Sequence, residues 1–134
     1  MTNKQINIKM SKLSNKQPQE RDIHERIYNF VIRVIKLTKV LAKTPQNDVI
    51  IYQIIKSVTS MGANDQEADG SESRKDFIAK YSIVKKETKE TNYWLRVICD
   101  TNPVIKSRMI DLQSEGLELV RIISAIIISA KKKI

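Results

Sequence analysis

Ser60-Met61-Gly62-Ala63-Asn64-Asp65-Gln66-Glu67-Ala68, then Ser73-Arg74-Lys75-Asp76-Phe77, Lys85-Lys86-Glu87 and Glu90-Thr91-Asn92-Tyr93-Trp94-Leu95 carry the reading of this chain. The stretch is helical in pattern almost throughout, with one break at Gly70-Ser71. After the break, Phe77, Tyr81, Val84, Thr88, Thr91, Leu95 and Ile98 recur at three-to-four spacing, which turns one face of a helix inward. Two long helices joined by so short a break pack antiparallel. A core needs only the periodic apolar residues. The interleaved Asn, Asp, Arg and Glu therefore point to a polar network or a binding surface.

Upstream, the stripe of the preceding helix is Ile51, Ile54, Ile55, Val58, Met61 and Gly62, and its continuation puts Asp65 on the same side. Gly62 in mid-helix costs about 1 kcal/mol against Ala, and close approach by a neighbouring helix is the usual compensation. This helix runs from Pro45 or Asp48 to Asp69, because Pro45 cannot continue an incoming helix but suits a first helical position. Before it, Ile27, Phe30, Val31, Val34, Leu37, Thr38 and Leu41 predict a helix over 22–43. Ser73 with Asp76 resembles a capping box and opens the third helix, which ends near Asp100. Thr101-Asn102-Pro103 is the last connection, with Asn102 as a cap and Pro103 at the first position. The fourth helix covers 104–131 on the stripe Ile105, Met109, Leu112, Gly116, Leu119, Val120, Ile123, Ile126, Ile127 and Ala130. The expected fold is all-α: an antiparallel up-down-up-down four-helix bundle over residues 22–134, after a flexible basic N-terminal arm over 1–21.

Composition agrees. A chain of 134 residues suits one core,. Three Gly, three Pro and few aromatics disfavour a turn-rich β domain,. Cys99 is the one cysteine, so no internal disulfide forms, and at a helix end it reads as a small buried hydrophobe. Residues 1–21 lack the apolar core of a secretory signal. The apolar run Leu117 to Ala130 is interrupted by Glu118 and Arg121 and is too short for a bilayer. A soluble cytoplasmic protein is expected, with no membrane contact.

Net charge is +9 and sits mostly at the ends: residues 1–21 hold five Lys or Arg against one Glu, and Lys131-Lys132-Lys133 add three cations. Basic ends are a common route to nucleic acid. Within the body, no acid lies between Arg26 and Lys43, and Arg26, Arg33, Lys36, Lys39 and Lys43 fall opposite the apolar stripe. Arg33, Lys36, Lys39 and Lys43, extended by Lys85, Lys86 and Lys89 on the third helix, are the candidate nucleic-acid contacts. Such side chains neutralise phosphates with little sequence choice. The bland alternative is the solvated face of an amphipathic helix.

A second candidate is a structural polar network of Asn64, Glu67, Arg74, Asp76, Lys80, Glu87 and Glu90, with Asp65 beside it. Loss of Glu87 or Arg74 is expected to destabilise the bundle or its assembly. The carboxylates invite a metal reading, but a di-iron bundle site takes a Glu-x-x-His pair from each of two helices, and His24 is the one histidine. No metal and no cofactor are expected. His24 stands alone in a charged segment and reads as solvated. Neither a Ser-His-acid nor a Cys-His arrangement is evident, nor a glycine-rich phosphate loop, so the chain does not read as an enzyme. Tyr93 and Trp94 are adjacent and face about 100° apart, so one packs in the core and the other is left for a subunit contact or a base.

Ser60 to Asn64, Glu67-Ala68, Ser73 to Phe77, Lys80, Lys85-Lys86-Glu87, Glu90-Thr91, Tyr93-Trp94-Leu95, Glu118-Leu119 and Ile126 to Lys131 resemble one family. It comprises the small bacterial four-helix-bundle proteins first noted as reading frames inside intervening sequences of 23S ribosomal RNA genes. The match covers residues 22–132, and Asp65 departs from the apolar or aromatic residue the family favours there. The resemblance implies a cyclic homopentamer, in a family with no established enzymatic activity. A more distant similarity to the accessory protein of diversity-generating retroelements implies nucleic acid, or a reverse transcriptase, as partner. Two functions follow as expectations: an oligomer binding structured RNA in preference to DNA, or an adaptor ring for a reverse transcriptase or other enzyme.

Overall fold

The computed structural model describes the backbone of residues 18–133 and the side chains of residues 23–133. Its elements are α1 (Pro18–Thr38), α2 (Pro45–Asp69), α3 (Arg74–Thr101), a 3-10 segment (Pro103–Arg108) and α4 (Ile110–Lys132). Each helix packs on its sequence neighbour and α4 closes the ring against α1, so α1 and α3 stand on a diagonal. No strand occurs among the described residues, and no helix among them is long and apolar enough to cross a membrane. Residues 1–17 of the expected arm lie outside the described residues, and residues 18–21 open α1.

The core stacks Ile23, Ile27, Phe30 and Val34 from α1 with Ile54, Val58 and Met61 from α2. Tyr81, Val84, Leu95 and Ile98 from α3 meet Leu119 and Ile123 from α4. The stripes on α3 and α4 are those expected. On α2 the buried line is turned toward α3: Ile50 and Ser57 are buried, while Ile51 and Ile55 flank the core. Ser57 Oγ and Thr91 Oγ1 bond at 2.8 Å inside that interface, and each hydroxyl also meets a backbone carbonyl of its own helix, Ile54 O and Glu87 O, so both buried polar groups are satisfied. Cys99 is buried, as expected.

Three boundaries differ from the sequence expectation, the first being that α1 starts at Pro18 and not at Asp22. α1 ends at Thr38 and not at Lys43, because its last turn tightens: Lys39 N–H donates to Lys36 O and Val40 N–H to Leu37 O, which is 3-10 geometry at a helix end. Thr44 then caps α2, its hydroxyl accepting from Asn47 N–H at 3.0 Å, with Pro45 at the first position. The α-helix expected from Val104 begins only at Ile110, because a 3-10 segment follows Pro103. Asn102 makes no side-chain cap. Its amide bonds Asn47 instead, Asn47 Nδ2 donating to Asn102 Oδ1 at 3.2 Å. Asn47 also donates to Ala42 O at 2.7 Å. The pair of asparagines thus ties the α1–α2 connection to the α3–α4 connection at one end of the bundle.

Candidate functional site

Arg33, Lys36, Lys39 and Lys43 are all exposed, and none has an ion-pair partner among the described residues. Arg33 and Lys36 ride on α1; Lys39 and Lys43 belong to the connection after it. Arg26 does not join them. It turns to α4 and makes a two-pronged bond to Glu115, Nη2 to Oε1 at 2.6 Å and Nε to Oε2 at 3.1 Å. The sequence placed Arg26 in the arc opposite the apolar stripe, but α4 lies close enough for Glu115 to draw it out of that arc. Lys85, Lys86 and Lys89 sit on α3, across the diagonal from α1. The structure therefore does not join the two lysine groups into one face.

The expected polar network is not one network. Glu67 and Lys80 meet at 2.7 Å as an exposed pair between α2 and α3, a contact worth about 0–1 kcal/mol. Asn64 bonds back to Ser60 O at 2.8 Å within its own helix. Asp76 supplies its backbone N–H to the Ser73 cap at 3.1 Å, and Arg74 beside it is exposed. Glu87 and Glu90 lie half-buried on α3. Of these seven residues, all on α2 and α3, only Glu67 and Lys80 meet across helices.

The true buried polar centre is Asp65, 0 % exposed. Tyr81 OH donates to its Oδ1 at 2.6 Å, and His24 Nδ1 meets the same oxygen at 2.8 Å. A carboxylate only accepts, so Nδ1 carries the proton. His24 Nε2 lies 3.5 Å from Asp69 Oδ1. Asp65 Oδ2 has no hydrogen-bond partner among the described residues. The centre joins α1, α2 and α3 in one knot. His24 is thus a half-buried structural partner, contrary to its solvated reading. The available signal was the continuation of the α2 stripe onto Asp65: an acid on a buried line demands donors, and His24 and Tyr81 are among the few near its level. Among the described residues no group of three His, Cys, Asp or Glu side chains can hold a metal ion.

Glu87 titrates above the usual carboxylate range, chiefly because burial disfavours its charge and secondly because Glu90 repels it; Lys86 and Lys56 oppose the shift. A carboxyl whose folded pKa is raised costs stability when ionised, above its folded pKa, and the cost disappears below the unfolded value. Glu87→Gln is therefore expected to raise the melting temperature slightly at pH 7 and to leave it unchanged near pH 3. A variant that melts lower than the parent at pH 7 would restore the stabilising role read from the sequence.

Trp94 is half-buried against the core, and Tyr93 is 58 % exposed, edge-on to the Trp94 ring at 4.9 Å. Trp94 thus turns inward and Tyr93 outward. Trp94 Nε1 is buried without a partner among the described residues.

Residues 19–125 match the family model described as 23S rRNA-intervening sequence protein. The chain belongs to that family. Among solved structures, it is similar to a protein of unknown function from the S23 ribosomal protein family of Bacteroides thetaiotaomicron, at 31% identity and a TM-score of 0.73. The likeness spans 81% of this chain and 96% of the other. No curated protein matches it. Family membership accounts for the helical frame and the resemblance carried by residues 60–95.

Proposed function

We propose that this protein is a non-enzymatic, oligomeric nucleic-acid-associated protein that binds structured RNA in preference to DNA through the basic surface of α1 and the connection that follows it. The observation that carries this reading is that Arg33, Lys36, Lys39 and Lys43 all project into solvent with no partner among the described residues. Acids beside such cations would cancel their field, and none intervenes along residues 27–43. Backbone contacts of this type give salt-dependent affinity. A ring such as the pentamer implied by resemblance would repeat the surface around an axis, and multivalency would turn weak contacts into avidity.

The test is a salt series with purified protein on a labelled RNA hairpin and a duplex DNA, with particle mass followed by light scattering. Replacing Lys36, Lys39 and Lys43 by Glu is expected to weaken hairpin binding by at least ten-fold. It is also expected to lower the log–log salt slope by about 2–3, near one unit per lost phosphate contact. Affinity and slope equal to the parent's would refute the assignment.

A second reading, a protein-binding adaptor for a reverse transcriptase or other enzyme, draws support from Tyr28. That ring is 61 % exposed and stands beside an apolar groove lined by Val31, Thr59, Gly62 and Ala63. A clean oligomer that ignores both nucleic-acid probes would favour it.

A further inference from the structure

Lys106 and Arg108 have no place in the basic arc read from the sequence, because an α-helix starting at Val104 would distribute them around its circumference. The 3-10 segment changes their position. Ile105 and Met109 anchor it in the core, while Val104, Lys106, Ser107 and Arg108 all project outward, Val104 at 92 % exposure. The Asn47–Asn102 pair holds the segment at the end of the bundle where Lys39 and Lys43 leave α1.

We infer that this end of the bundle is a docking surface for the phosphate backbone of structured RNA, with Lys39, Lys43, Lys106 and Arg108 as its contacts, an inference that rests on the nucleic-acid reading above. None of the four cations has an ion-pair partner among the described residues. The acids at the same end are Asp48, Asp100 and Asp111. Asp48 and Asp111 occupy the first turns of α2 and α4, where the positive ends of the helix dipoles offset their charge. Ile105, Met109 and the side-chain amide pair fix the backbone that carries Lys106 and Arg108, so no backbone ordering is needed there when the two cations meet RNA. Val104 adds an exposed apolar contact suited to a ribose or a splayed base, which structured RNA offers in its loops.

The test compares the full-length parent with Lys106→Ala/Arg108→Ala by fluorescence anisotropy on the RNA hairpin and on duplex DNA across a potassium chloride series. Lys75→Ala/Arg121→Ala, which removes the same charge elsewhere, is the control. All three are checked for unchanged melting. The end-surface variant is expected to bind the hairpin about ten-fold more weakly and to lose about 1–2 units of salt slope, while the control stays within about two-fold of the parent. If the parent binds and both variants weaken equally, net charge and not this surface is responsible, and the inference falls while nucleic-acid binding stands. If the parent prefers the duplex DNA, the RNA assignment falls. If the parent binds neither probe, the nucleic-acid reading fails and takes this inference with it.

Discussion

His24→Ala is expected to destabilise the bundle by about 3 kcal/mol, the upper end for losing a hydrogen bond to a buried carboxylate. That loss corresponds to a fall of about 10 °C or more in melting temperature for a domain of this size. The reason lies at Asp65, not at His24. The carboxylate is 0 % exposed, and its two donors, Tyr81 OH and His24 Nδ1, converge on one oxygen. Removing the imidazole leaves a buried carboxylate with a single hydroxyl donor. His24→Asn keeps a short N–H donor near the Nδ1 position and is expected to recover part of the loss. Thermal unfolding of both variants decides the matter. A His24→Ala protein that melts within a degree or two of the parent would mean the contact to Asp65 contributes nothing.

Gly116→Ala is expected to lower stability by about 1–2 kcal/mol even though alanine is the better helix former by about 1 kcal/mol. A Cβ at Gly116 would overlap Asn92 Oδ1 and come within 3.2 Å of Phe30 Cζ. Asn92 Nδ2 donates to Gly116 O at 3.0 Å, so the amide cannot swing aside without losing that bond. Phe30 is 0 % exposed and cannot retreat through a packed core,. The double variant Gly116→Ala/Asn92→Ala removes the obstacle and is expected to be more stable than Gly116→Ala alone. Such a coupling marks residues in direct contact. Gly116→Ala melting above the parent would show that α3 and α4 can part at no cost.

The glycines show how far pattern carries. Gly62 was legible as a close-approach site because a mid-helix glycine needs a reason, and Val31 Cγ2 stands 3.0 Å from where its Cβ would be. Gly116 was legible only as a member of the α4 stripe. That it faces Asn92 and Phe30 depends on the axial register between helices, which no single helix encodes. The charged residues were read less well. A heptad-like repeat states which face of a helix is wet, and so it placed Arg33, Lys36, Lys39 and Lys43 in solvent. It is silent about which neighbour lies over the margin of that face. Arg26 consequently pairs with Glu115 across α1 and α4, and Glu87 gains no strong cation to hold its charge.

The sequence by itself determined four amphipathic helices, the buried stripes of α3 and α4, the capped start of α3 and the exposure of Arg33, Lys36, Lys39 and Lys43. Each of these follows from local periodicity and turn chemistry within one helix or connection. Only the tertiary structure decided that Asp65 is served by His24 and Tyr81, that Asn47 and Asn102 lock one end, and that a 3-10 segment places Lys106 and Arg108 there. Those features join residues 41, 16 and 55 positions apart in the chain or depend on how α4 docks. Rotation and axial register between packed helices set them, and these are properties of the assembled core that no local repeat specifies.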